Sequence, residues 1–216
     1  MDDFRDLYPF LGGPAGDTRV VVEEARRSTL AKAQEIADLR RQTWERNRDC
    51  LVRAARLAAG AFSAGAKALA FGNGGSATDA LDVVRDLAIP PRAGWRALPA
   101  FDLTRDTAVV TALANDIGFD SVYLRQIIAF GAPGDIALGF STSGRSASVN
   151  GAFAQAKRQG MIRIGFSGYD GGAMAEPALV DALVIVPSTY IPRIQEAQAT
   201  AWHMMLTMTQ ALLSEA

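Results

Sequence analysis

The densest set of ligand-binding side chains in the sequence is STSGRS, residues 141–146. Ser141, Thr142, Ser143 and Ser146 place four hydroxyls directly behind an apolar run and ahead of a helical pattern. Hydroxyls and unpaired backbone N–H groups at a helix start can hold an anion without any Lys or Arg. Helix capping by Ser146 accounts for one of the four hydroxyls, so the loop reads as a phosphate site. A second Gly-rich stretch, FGNGGSATDA (71–80), brings Asn73, Gly74 and Ser76 to another strand-to-helix turn. It is neither of the common nucleotide loops. The third glycine of the dinucleotide pattern falls on Ala77, the nearest acid to the expected place is Asp102, and no Gly-Lys-Ser/Thr follows. No nucleotide cofactor is expected.

That second stretch carries Asp79, and Asp82 and Asp86 follow it. Steps of three and four residues put the three carboxylates on one helix face. His203 is the only histidine, and it stands eight residues after Gln195, which turns both toward one side of a helix. The bland alternatives are a solvated acidic face and a satisfied core histidine. Trp202, Met204, Met205, Leu206 and Met208 around it read as core or subunit interface. Trp95 reads as a plug for the loop before the second strand, and Glu23, Glu24, Arg26 and Arg27 as solvated helix faces.

These side chains need a scaffold, and its pattern alternates. Residues 1 to about 17 are interrupted by Gly and Pro and read as an arm. From Thr18 to about Gly60 the spacing of apolar residues predicts two long helices with a break near Glu45 to Asp49. So long a helical stretch before the first strand is expected to pack against another subunit. KALAF (67–71), RALPAFDL (96–103), DIALGFSTSG (135–144), MIRIGFSG (161–168) and ALVIVP (182–187) read as strands. Helices are expected at about 77–87, through DTAVVTALANDIG and FDSVYLRQIIAFG, at 146–160 and at 193–216. Apolar strands alternating with helices imply an α/β fold, a single-domain doubly wound parallel sheet of about five strands. Ligands then sit at the carboxyl ends of the strands, where both Gly/Ser loops fall.

Bulk properties narrow the partners. The 216 residues suit one domain, and 49% hydrophobic residues argue against disorder. Lys and Arg (22) nearly balance Asp and Glu (23), which speaks against direct nucleic-acid binding. Cys50 is the only cysteine, so neither an intrachain disulfide nor a Cys-based zinc site is available. The start, MDDFRDLYPFLGG, lacks the basic n-region of a signal peptide. No run approaches the ~20 apolar residues that span a bilayer. The expected address is cytoplasmic, away from membranes.

FGNGGSATDALDVVRDL, GFSTSGRSASVNGAFAQAKRQGMIRIGFSGYDGGAMAE and VPSTYIPRIQEAQATAWHMM resemble, in order and spacing, the motifs of the sugar isomerase (SIS) domain family and of its phosphoheptose isomerase branch. NDIGFDSVYLRQ (115–126) fits as well. The resemblance implies a flavodoxin-like SIS fold over residues 46–216, preceded by an arm and helix at 1–45 that serves oligomerisation. It also implies a homotetramer with active sites shared between subunits. The ligand it implies is a phosphorylated sugar. Ser141, Thr142, Ser143 and Ser146 would clamp the phosphate, Asn73, Gly74 and Ser76 would line the sugar, and Asp106 would contact it.

The activity implied is interconversion of sedoheptulose 7-phosphate, or a relative, with the aldose through an ene-diol. That chemistry needs a base, an acid and a stabiliser of the developing oxyanion. The resemblance makes Asp86 the base and His203 the acid. It also implies a divalent metal, zinc in the family, on Asp82, Asp86, Gln195 and His203. This chain departs from the pattern in four places. Asp82 replaces a histidine, Asp86 a glutamate, Pro192 an aspartate and Arg145 an asparagine. The shorter carboxylate and the altered metal set keep an alternative open, a non-catalytic sugar-phosphate-binding SIS protein with a regulatory or protein-partner role. A structural oligomer with vestigial loops is a third.

Overall fold

The computed structural model describes residues 18–215, so the expected arm at 1–17 lies outside the described residues. The elements run in the order α1 (Thr18–Ser63), β1 (Ala68–Gly72), α2 (Gly75–Ala88), β2 (Ala100–Asp102), α3 (Thr107–Asp116), α4 (Val122–Phe130), β3 (Ile136–Ser141), α5 (Ala147–Arg158), β4 (Ile162–Ser167), β5 (Ala182–Ile185) and α6 (Ile191–Glu215). By its internal contacts the chain divides between Asp38 and Leu39. Among residues 19–38, Val20, Val21, Val22 and Leu30 are exposed, and Arg26 bonds Glu23 at 3.0 Å on the same helix face.

From Leu39 onward the chain builds the expected doubly wound α/β layer. All strand pairs are parallel, in the order β2-β1-β3-β4-β5. Strand alternation sends Ala68, Ala70, Leu138, Phe140, Ile164 and Phe166 to one face, where α1, α2 and α6 cover them. Leu69, Phe71 and Ala137 point to the other face, under α4 and α5. Being buried on both faces is why the strands read as nearly unbroken apolar runs. The order reverses between β1 and β3, and in such sheets a crevice opens at that switch point, beyond the strand ends. The two Gly/Ser loops follow those two strands.

Two expectations are corrected. Helix α1 has no break near Glu45 to Asp49; it continues through Asn47. Asn disfavours helix interiors because its amide competes for backbone groups. Here that amide is fully employed. Nδ2 donates to Thr43 O at 2.8 Å and to Ile185 O at 2.9 Å, while Oδ1 accepts from Ile185 N at 2.8 Å. A tertiary bond to the end of β5 absorbs the polarity that would otherwise end the helix. Strand β2 is three residues, not the expected eight. It is an edge strand, and Pro99 just before it has no N–H for the ladder.

Candidate functional site

Strands β3 and β4 end side by side, with Ser141 opposite Ser167. Beyond them the 141–146 loop closes on itself. Gly144 N donates to Ser141 O at 3.1 Å and to Ser141 Oγ at 3.2 Å. Gly144 has φ +65°, and a Cβ there would run into the Gly171 carbonyl oxygen. Only glycine lets the loop lie against the following turn. Ser146 occupies the position before α5, yet its hydroxyl makes no capping bond. It lies 3.2 Å from Ser141 Oγ instead. The first-turn N–H groups of α5 therefore receive no acceptor from Ser146, which is the arrangement an anion site needs.

The 71–80 loop is fastened to this one. Asn73 Nδ2 donates to Ser148 Oγ in the first turn of α5 at 2.9 Å. Its Oδ1 is buried and makes no hydrogen bond. A buried acceptor left unpaired costs about 1–3 kcal/mol, so this oxygen has capacity for one more hydrogen bond. Gly74 is exposed and directly precedes α2 with φ 57°, and Ser76 is buried in the first turn. Tyr123 of α4, which the sequence did not single out, donates its hydroxyl to Gly72 O. Burial first, and the Asp102 charge second, push that phenol up to about 12, so it remains a donor.

The acids of α2 meet α6 in register. Gln195 Nε2 donates to Asp79 Oδ2 at 3.5 Å, and seven residues further along α2 Asp86 Oδ2 accepts from Trp202 Nε1 at 3.2 Å. His203 Nε2 lies 3.1 Å from the same oxygen. Equal steps on both helices mean that they run parallel, side by side. Gln195 packs so close to Gly75 that a Cβ there would collide with its amide. Burial raises Asp79 to about 6, the Gln195 bond opposes this, and the Asp82 charge adds to it. The Asp86 carboxylate is 18% exposed and the imidazole 61%. Beside His203 lies an open surface groove of about 450 Å³, lined by Trp44, Arg92, Thr200, Met204, Thr207 and Met208.

Not every expected residue joins in. Asp106 caps α3, accepting from Val109 N at 3.0 Å, and it is exposed. The expected metal set of Asp82, Asp86, Gln195 and His203 does not converge. Among the described residues no three His, Cys, Asp or Glu side chains gather as metal donors. Asp82 is exposed, Gln195 turns to Asp79, and Asp86 and His203 contact each other. As placed, these residues do not fit a metal. Trp202 is core, as expected, and in addition holds Asp86; a tryptophan adjacent to the only histidine was the available signal.

Residues 33–168 match the SIS domain. The chain is 44% identical over 155 residues to a phosphoheptose isomerase from Paramagnetospirillum magneticum, covering 72% of this chain and 80% of that protein. It belongs to the SIS domain family, in the phosphoheptose isomerase branch. A Roseiflexus phosphoheptose isomerase is 38% identical over 198 residues, covering 92% of this chain and 95% of that one. The phosphoheptose isomerase structure from Neisseria gonorrhoeae superposes with a TM-score of 0.79 at 33% identity, over 87% of this chain and 99% of that one. The one from Francisella tularensis gives 0.80 at 26% identity, over 87% and 98%. In this SIS domain both Gly/Ser loops follow the two strands, β1 and β3, that flank the switch point.

Proposed function

We propose that the protein is an aldose–ketose isomerase that interconverts sedoheptulose 7-phosphate and the corresponding aldoheptose 7-phosphate. The observation that carries this reading is the contact between Asp86 and the only histidine, beside an open surface groove, in a chain whose relatives are phosphoheptose isomerases. The hydroxyls of Ser141, Thr142, Ser143 and Ser146, with the first amides of α5, hold the phosphate. Asn73, Gly74 and Ser76 line the sugar, with Asn73 Oδ1 accepting from a sugar hydroxyl. Asp106 and Gln195 add sugar contacts.

Isomerisation moves a proton between C1 and C2. Asp86 Oδ2 carries both the Trp202 and the His203 contacts, which leaves Oδ1 as the oxygen that takes the proton from carbon. His203, the more exposed partner, hands a proton to the carbonyl oxygen as the ene-diol forms. Protonating the carbonyl oxygen as the proton leaves carbon keeps a full negative charge from building on the ene-diol.

Asp86 lies eleven residues beyond Gly75, about 16 Å along α2. The phosphorus and C2 of an extended heptose phosphate are roughly 8 Å apart, from ordinary bond lengths. The Gly-rich turn at the start of α2 and the Asp86–His203 pair near its end are thus further apart than one sugar phosphate reaches within a single copy. This supports a site completed between copies, as in a homotetramer, with residues 1–45 and their exposed Val20, Val21, Val22 and Leu30 serving the assembly. Among the described residues no helix is long and apolar enough to cross a membrane, and we place the enzyme in the cytoplasm.

The test is purified protein with sedoheptulose 7-phosphate, followed for thermal stabilisation and for aldose product. Both are expected, because a ligand that binds the native state raises its stability. Stabilisation without product would favour the non-catalytic sugar-phosphate-binding alternative.

A further inference from the structure

The 141–146 loop carries one cation, Arg145, and its guanidinium is already engaged. Nη2 donates to Asp170 Oδ2 at 2.8 Å and to Oδ1 at 3.0 Å, and Nη1 donates to Ser143 O at 3.1 Å. The backbone N of Arg145 also donates to Ser143 Oγ, at 3.2 Å. Ser143 is thus gripped at its carbonyl and at its hydroxyl by the residue two positions on. With an oxygen lone pair taken up in this way, the Ser143 O–H is left to donate outward.

Asp170 is held in its turn. Its Oδ1 accepts from Gly172 N at 2.9 Å, and the neighbouring Gly171 carbonyl packs against Gly144 of the loop. The Gly172 amide first, and the Arg145 guanidinium second, hold the Asp170 carboxyl below the usual carboxylate range. The bonds form a closed circuit from Ser143 through Arg145 and Asp170 to the glycines that back the loop. The carboxylate takes up Nη2, one of the two terminal nitrogens with which the guanidinium would otherwise meet an anion.

We propose that Asp170 is a positioning residue of the phosphate site, acting through Arg145 to hold Ser143, so that a phosphoryl group is met by hydroxyls and amides with no arginine in contact. This rests on the reading of the 141–146 loop as the phosphate site. Arg145 is then a strut and not a ligand. Replacing Asp170 frees the guanidinium from its carboxylate partner and loosens Ser143, so substrate binding weakens while the proton-transfer step is untouched.

The experiment is steady-state kinetics on the full chain with sedoheptulose 7-phosphate, comparing wild type, Asp170→Asn, Asp170→Glu, Arg145→Ala and the double variant Arg145→Ala/Asp170→Asn. Asp170→Asn is expected to raise KM by about threefold, the scale of an exposed ion pair, with kcat unchanged. Asp170→Glu is expected to restore much of the binding. The double variant is expected to be no worse than Arg145→Ala alone, because the two residues act as one unit. An unchanged KM in Asp170→Asn overturns the proposal. A lowered KM also overturns it, because the freed arginine would then be reaching the phosphoryl group itself. Wild type that neither turns over sedoheptulose 7-phosphate nor is stabilised by it would overturn the phosphate-site reading, and this inference with it.

Discussion

In the 141–146 loop the hydroxyls come from one short run, are fixed by backbone bonds and lie at a strand end. Asp86 and His203 stand 117 residues apart and meet only because α2 and α6 run side by side. The loop is set by local chain geometry, down to one glycine at positive φ. The pair is set by packing, with Trp202 in the core holding one carboxylate oxygen. A site of the first kind fails when the backbone cannot take its shape; one of the second kind fails when a single side chain is lost. Substitutions in the two regions should therefore break different things.

The largest effect is expected in the pair. His203→Ala should lower kcat by about a hundredfold to ten-thousandfold, the usual range for a general acid or base. The imidazole is well exposed, so the melting temperature should hardly move; calorimetry beside the kinetics checks both halves. In the loop the expectation reverses. Gly144→Ala forces a Cβ toward the Gly171 carbonyl at φ +65°. A loss of about 1–3 kcal/mol of stability should appear in denaturant unfolding, together with a loss of phosphate binding. If Gly144→Ala melts like wild type, the loop is not the rigid element described.

Smaller changes sharpen the contrast. Trp202→Phe keeps most of the buried ring and removes the N–H that holds Asp86. A net contribution of about 1 kcal/mol for such a bond corresponds to a fall in kcat of about fivefold with KM unchanged, measurable in the same assay. Asp79, which ties the helix face to Gln195, has the mildest signature. It keeps its proton up to about 6 in the folded chain, against 3.8 for the ordinary carboxyl. Between those pH values the folded state holds a proton that the unfolded state has released. Stability contributed by the protonated form is therefore lost as pH rises through this window. Asp79→Asn, which cannot ionise, should flatten the melting temperature between pH 4 and 6; an unaltered pH slope would contradict the shift.

The same contrast explains what could be read from the sequence. STSGRS and GNGGSA are local, so their place at strand ends followed from alternation and turn residues, and the sheet followed with them. The continuity of α1 through Asn47 was not legible, because the bond that permits it goes to Ile185, far along the chain. Asp170 behind Arg145, Tyr123 under Gly72 and Trp202 on Asp86 were hidden for the same reason. The family spacing named Asp86 and His203, whose side chains meet in the fold, yet spacing alone could not say that Asp82 would face solvent while Asp79 took Gln195. Asp106 serves as a helix cap, a use that any Asp before a helix can have, and its position in the sequence does not separate that use from the proposed sugar contact.

The most direct test of this division of labour is kcat and KM for sedoheptulose 7-phosphate measured on Asp86→Asn beside Ser143→Ala. The account predicts that Asp86→Asn loses kcat by at least about a hundredfold at nearly constant KM, while Ser143→Ala raises KM and keeps kcat. Wild-type kcat in Asp86→Asn would contradict it.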